Sequence, residues 1–289
     1  MSLRSRTRTL SLALALPVAT LVATGCEEAV QQPVPVDIGV SDAAVGDLDA
    51  VVITIERITV NQPGPDIVIE TFPGENPGDP PAETITIDLL AFQGTDVMLV
   101  VDDLLLAPGP YQNIRLSIID DDIGLTYVDE TGGGIAPLKV PSGELKLGGF
   151  VVGALFPQNF VLEFDLSRAM TYNPGPDRYI LKPRGVRVVD AESAALISGT
   201  VDPALFEAGA CGAKADPLVG NVVYLYRGHD LDIAALADNF DPAIDPAAAA
   251  SSIEPYASET VAADGSYLFA YLPAGAYTCL LYTSDAADE

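Results

Sequence analysis

Carboxylates are the commonest reactive groups in this chain, and their spacing limits what they can do. Asp42, Asp47 and Asp49 fall within eight residues, and Asp120, Asp121 and Asp122 are consecutive. Hard cations take oxygen ligands, so both groups are candidate Ca2+ ligands; neither follows the EF-hand spacing, and solvated loop acids are the competing reading. Paired carboxylates also serve glycoside hydrolysis. Clefts for that chemistry generally present aromatic rings, and the chain has no Trp. His229 is the one histidine, in Gly228-His229-Asp230. A hydrolytic triad needs an activated nucleophile beside its base, and no Gly-x-Ser-x-Gly elbow occurs, so an exposed loop histidine is expected. So few His and Cys also leave a nitrogen and sulfur metal site without ligands. Pro141-Ser142-Gly143-Glu144-Leu145-Lys146 lacks the Gly-Lys-Ser/Thr ending of a phosphate loop and reads as a hairpin turn. No enzyme and no cofactor beyond a candidate Ca2+ is expected.

The cysteines carry a different chemistry. Met1 to Thr9 hold three arginines and no acid, Leu10 to Val22 are nearly all apolar, and Ala23-Thr24-Gly25-Cys26 follow. That is a basic segment, an apolar core too short to span a bilayer, and small residues ending at a thiol. Residues 1–25 are therefore expected to be a signal peptide, with Cys26 the lipidation site; Ala23 stands where such cleavage motifs usually carry Leu. Each buried CH2 contributes about 0.8 kcal/mol, so several acyl chains would hold the chain on a membrane. Glu27 is not the Asp associated with inner-membrane retention, which favours the outer membrane. Residues 26–36, with Pro33 and Pro35, read as a stiff polar tether.

These residues must be positioned by strands. Of 289 residues 49% are hydrophobic, with 25 Gly, 23 Pro and short β-branched runs such as Val51-Val52-Ile53-Thr54-Ile55. The fold class expected is all-β, two antiparallel β-sandwich domains in series. The first, residues 37–190, is expected to carry strands at 50–60, 67–72, 84–89, 97–101, 111–119, 124–128, 146–152, 160–166 and 179–189, with one short helix starting at Asp88. The second, residues 194–278, contains an acidic, Ala-rich insertion from Gly228 to Ser252. Leu106-Ala107-Pro108-Gly109-Pro110-Tyr111 parallels Leu272-Pro273-Ala274-Gly275-Ala276-Tyr277, and each Tyr is expected to place its ring in a core and its hydroxyl near the turn backbone. With 41 acidic residues against 14 basic ones, the net charge of −27 would repel a phosphate backbone, so nucleic acid is not an expected partner.

Val40-Ser41-Asp42-Ala43, Ile87-Asp88-Leu89-Leu90, Pro108-Gly109-Pro110-Tyr111, Leu138 to Gly143, Phe164-Asp165 and Tyr179 to Pro183 together resemble the bacterial envelope family of domain of unknown function 4382. The resemblance implies a lipoprotein-associated β-domain with no established activity. Ile197 to Val201, Asn221 to Tyr226 and Asp264 to Thr278 are similar to the carboxypeptidase regulatory-like, transthyretin-type sandwich. Residues 279–289 resemble a translated sequencing adapter, so a truncated second domain and a non-native tail are expected. Cys279 is then foreign, and Cys211 is expected to pair with a cysteine beyond the present end. The functional expectation is a non-enzymatic, lipid-anchored protein of the bacterial cell envelope, at the outer membrane, with a binding or structural role toward an envelope protein or glycan. The alternative is a carbohydrate- or peptide-binding accessory lipoprotein of an uptake or adhesion system.

Overall fold

The computed structural model describes residues 32–43, 48–74, 78–202, 204, 221–239 and 250–283. They are almost entirely strand and turn. The first part of the chain carries β1 (Val34–Ala43), β2 (Leu48–Asn61), β3 (Ile67–Ile69), β4 (Ile85–Asp88), β5 (Met98–Leu106), β6 (Gly109–Tyr111), β7 (Asn113–Ile118), β8 (Tyr127–Glu130), β9 (Gly134–Lys139), β10 (Glu144–Lys146), β11 (Phe150–Val152) and β12 (Gln158–Asp165). A single turn of helix, α1 (Leu166–Ala169), then leads to β13 (Met170–Asn173), β14 (Arg178–Leu181) and β15 (Val186–Asp190). Two sheets enclose one core. The smaller runs β15-β12-β1-β5, and the larger runs β10-β7-β2-β8-β9-β14-β13 with β3 and β4 also paired to β2.

The long strand β2 organises the larger sheet. Val51, Ile53 and Ile55 alternate into the core, as a half-buried strand requires. Strict alternation would then bury Arg57. A register shift between Ile55 and Arg57 against β7 lets the strand resume with Ile58 and Val60 inside. In the smaller sheet β1 lies between β12, to which it is parallel, and β5, to which it is antiparallel. A parallel pair needs a long crossover, and the excursion from β2 through β11 supplies it. The second parallel pair is β9 with β14.

Several boundaries differ from those expected. Val34 and Val36 are buried in β1, so the last residues of the expected 26–36 tether belong to the sheet and the first domain begins before residue 37. The expected 146–152 strand is two strands, β10 and β11, pairing with β7 and β6. They are separated at Gly149, where a Cβ would stand 2.4 Å from the Tyr111 carbonyl oxygen. The expected 179–189 strand is also two, in different sheets, because Pro183 opens a 3-10 turn that ends at Gly185. Pro141–Gly143 is a 3-10 turn carrying the chain from β9 to β10, which do not pair, so it is not a hairpin. The short helix expected at Asp88 is the 3-10 turn Leu89–Ala91, capped by the Asp88 carboxylate on the Leu90 N–H.

The remaining strands are β16 (Ala195–Thr200), β17 (Asn221–Arg227), β18 (Ala257–Thr260), β19 (Ser266–Leu272) and β20 (Tyr277–Thr283), arranged as β16-β19 and β18-β17-β20. Val223 and Leu225 of β17 enter a second core with Phe269 and Leu272. The described beginning of the Gly228–Ser252 insertion covers the other face of β17. There the Tyr226 hydroxyl donates to the Ala237 carbonyl at 2.6 Å and the Tyr224 hydroxyl to Asp238. Residues 279–283 continue β20, with Cys279 opposite Leu225, past the expected boundary at 278.

The two tyrosine turns behave as their shared spacing predicts. The Tyr111 hydroxyl donates to the Ala107 carbonyl at 2.9 Å, and the Tyr277 hydroxyl donates to the Pro273 carbonyl at 2.6 Å. Each ring stays against its core while the hydroxyl satisfies a turn carbonyl four residues back. A net hydrogen bond of this kind contributes about 1 kcal/mol. Tyr111→Phe should therefore lower the unfolding free energy by about 1 kcal/mol, read as a lower urea midpoint with an unchanged slope, and an unaltered midpoint would show that the hydroxyl contributes nothing.

Candidate functional site

The residues singled out by spacing do not converge. Cys26, Asp47 and Cys211 lie outside the described residues. Asp49 is exposed and accepts from the Thr131 hydroxyl at 2.7 Å. Asp120 is bound within the fold, its Oδ2 accepting from the Val140 N–H at 2.8 Å while Lys139 lies against its Oδ1. Asp121 and Asp122 are exposed, and Asp122 caps the Gly124 N–H. His229 is exposed, and its Nδ1 meets only the neighbouring Asp230 at 2.7 Å. Among the described residues, the one group of three whose ligand oxygens all lie within 4.8 Å of one another is Asp37, Asp102 and Asp103. Spacing could not join Asp37 to the other two. Their approach comes from β1 pairing with β5, and the Asp103 N–H already donates to Asp37 at 2.8 Å. Asp102 and Asp103 are solvated, so local structure accounts for the group.

Charge is instead concentrated where β18 and its neighbours pack on the outer face of β12. Register pairs Ser41 with Glu163 and Asp42 with Phe164, so alternation places Glu163 and Asp165 on that outer face and Asp42 on the core face with Val40. Asp165 is buried and fully occupied. It accepts from the Ser258 N–H at 2.9 Å, the Ser258 hydroxyl at 2.9 Å and the Ser167 hydroxyl at 2.8 Å. Beside it Arg168 and Arg184 both reach Glu254, with Arg168 Nη2 at 2.8 Å. The guanidiniums of Arg187 and Arg227 lie 5.0 and 4.0 Å from the Tyr256 ring centre. Spacing could not join Asp165 to Ser258, or Arg168 and Arg184 to Glu254, which lie about 70 to 93 positions apart in the chain.

Two acids here lack what Asp165 has. Both carboxylate oxygens of Asp42 and Oε2 of Glu163 are buried without a hydrogen-bond partner. Burial, reinforced by the charges of Glu163, Asp165 and Glu259, holds the Asp42 carboxyl well above the ordinary range. Burial also pushes Glu163 up to about 7, against the opposing pull of Arg187 and the Ser41 hydroxyl. Asp42 and Glu163 act on each other through the sheet from opposite faces, and they do not form a common ligand set.

Next to this junction lies a cleft of about 700 Å³. Gln93 and Gly94 form one wall; Ser198 and Thr200 of β16, Glu259 of β18 and Tyr267 of β19 form the others. Its lining offers hydroxyls, an amide, one aromatic ring and one carboxylate, and no basic residue. Such a surface suits a neutral polyhydroxylated or amide-bearing ligand better than an anion.

The fold and junction define an all-β protein in which a large sandwich carries a smaller β-structure on the outer face of one sheet. The chain belongs to the family described as domain of unknown function DUF4382, whose model matches residues 34–183. The match opens with β1 and closes in the turn after β14, so it spans the larger sheet and most of the smaller one. No curated protein and no solved structure matches the chain.

The junction predicts a pH dependence. Glu163 holds its proton in the folded state up to about pH 7 and loses it in the unfolded chain near its ordinary 4.5. Folding thus takes up a proton between those values, so stability falls as pH rises through this window and levels off above it. At about 1.4 kcal/mol for each unit, the loss is about 3 kcal/mol. Glu163→Gln should flatten the dependence of unfolding free energy between pH 5 and 8 and make the protein more stable at pH 8. Adding Asp42→Asn should flatten it further. Parallel curves for variant and wild type would show that Glu163 does not hold the proton.

Proposed function

We propose that this is a non-enzymatic, lipid-anchored protein of the bacterial cell envelope, seated at the outer membrane through lipid on Cys26, with a binding or structural role. The observation that carries the reading is the short distance in chain from Cys26 to β1. Val34 is already buried in the sheet, and the segment between the two spans at most about 28 Å when fully extended. A lipid on Cys26 would hold the sandwich itself at the membrane, as a surface module needs. The β16–β20 structure is read as a carboxypeptidase regulatory-like module. Its buried ionic junction with the first part suits a spacer that must keep its shape.

The cleft supports the second reading, an accessory module that binds a glycan or peptide, because its lining combines an aromatic ring with hydroxyl and amide groups. Calorimetric titration with oligosaccharides and peptides would separate the two, since Tyr267→Ala should abolish binding only if the cleft is the site. Ca2+ on the acidic surface is a further proposal. Melting the mature protein with millimolar Ca2+ and with chelator tests it, and superimposed curves would leave the acids as solvated surface.

For the anchor itself, the mature protein should partition into detergent. A Cys26→Ala precursor should stay uncleaved and fail to label with palmitate. Normal maturation and membrane retention of that variant would overturn the reading.

A further inference from the structure

The most exposed apolar side chains of the first part gather at one end. Leu155 is 80% exposed, Phe156 73%, Val151 65% and Leu105 64%. The run from Phe150 to Pro157 contains no charged or polar residue, in a chain with 41 acidic and 14 basic residues. Strand pairing fixes where this run lies. Val36 pairs with Gln158 in parallel, which sets the residues just before Gln158 beside the start of β1, and Pro35 pairs with Leu105. Val151 pairs with Pro110 of β6, immediately after the turn that ends β5. The loop is also held in place, since the Gly153 N–H donates to Gln158 Oε1 at 2.6 Å. The apolar tip therefore surrounds the point where the chain enters the fold from Cys26.

We infer that this end of the sandwich is a membrane-contact surface, with Leu155 and Phe156 inserted into the lipid to which Cys26 is tethered. This rests on the lipid-anchor reading above. Four exposed large apolar residues within one uncharged loop and its neighbours form a patch that water solvates poorly, and a bilayer relieves that cost. Phe and Leu lodge at the boundary between headgroups and acyl chains. The tether contributes proximity. Lipid on Cys26 keeps the bilayer within about 28 Å of Val34, so an insertion too weak to recruit a free protein becomes an intramolecular event. Among the described residues, Asp37, Asp102 and Asp103 are set back along β1 and β5, and Glu192 accepts from Asn159 at 3.0 Å beside them. They disfavour an anionic surface, so the contact suits a zwitterionic leaflet.

The absence of Trp makes the test direct. Phe156→Trp places the protein's single indole at the tip, and Ile233→Trp places it on an exposed loop beyond the opposite end of β12, where Ile253 bridges Leu236 and Glu254 meets Arg168. Both positions are exposed, so neither change disturbs a core. The lipidated protein is reconstituted in phosphatidylethanolamine and phosphatidylcholine vesicles, with and without lipid brominated in its acyl chains. The expected result is a blue shift and loss of emission with brominated lipid for Phe156→Trp, and neither for Ile233→Trp. An unshifted, unquenched indole at 156, or quenching at 233 instead, would overturn the inference. A parallel arm holds the chain from residue 27, carrying a histidine tag at its start, on nickel-chelating vesicles. If the mass of the Cys26 peptide shows no lipid, the anchor reading fails alone, and this arm still reports whether the tip enters the bilayer. A dimer in solution that Phe156→Asp dissolves, with no quenching, would assign the patch to a second copy and overturn membrane contact.

Discussion

Asp165 is the fastening on which the arrangement of this protein depends. It ends β12, is 1% exposed, and its oxygens accept from Ser258 and Ser167 across and within the junction. A carboxylate is costly to remove from water unless its lone pairs are taken, and three donors meet that requirement here. The junction it fixes has consequences around it. Glu163, two residues earlier on the same face, is covered by the same packing and is balanced by Arg187 at 3.8 Å and the Ser41 hydroxyl, which do not offset its burial. Glu259, next to Ser258, lines the cleft. The raised proton affinity of Glu163 and the cleft thus both lie at this junction.

The other constraint is β1. Both β12 and β5 pair with it, so without β1 the smaller sheet has no centre. A central strand cannot slide without moving its neighbours, and the parallel register over Val36 to Ala43 fixes it on β12. The chain segment expected to be only a tether therefore runs directly into the middle of the fold. The end of the sandwich where β1 begins is also the end that the apolar loop Val151 to Pro157 occupies.

Strand-forming segments were legible wherever alternation and turn residues coincided, as in β2, β4, β12 and β17. The Tyr111 and Tyr277 turns were legible down to the hydroxyl, because a Pro and Gly turn followed by Tyr dictates its own local geometry. What failed was whatever depends on partners distant in the chain. β1 was hidden by Pro33 and Pro35, which read as a stiff polar segment but lie at its start, where the missing N–H is tolerated. The splits at Gly149 and Pro183 come from close approach and sheet exchange, which a run of β-branched residues does not reveal. The carboxylates chosen by spacing were mostly solvated or locally capped, since nearness in chain does not place two side chains on one point. Of the buried acids, Asp42 was chosen as a cation ligand and Asp165 was marked only as part of a family motif, while Glu163 and Glu259 sat unremarked within strands. In Phe160-Val161-Leu162-Glu163-Phe164-Asp165 alternation turns both acids away from the core-facing Phe160, Leu162 and Phe164, as on any solvent-facing side, so their burial beneath β18 left no mark in the strand itself.

The central claim is that the two β-structures form one body through the Asp165 junction. Scanning calorimetry of the mature protein and of Asp165→Ala tests it most directly. A single cooperative transition in the wild type that splits in the variant, with β16–β20 melting at the lower temperature, is the predicted result. Two independent transitions in the wild type, both unchanged by Asp165→Ala, would contradict it.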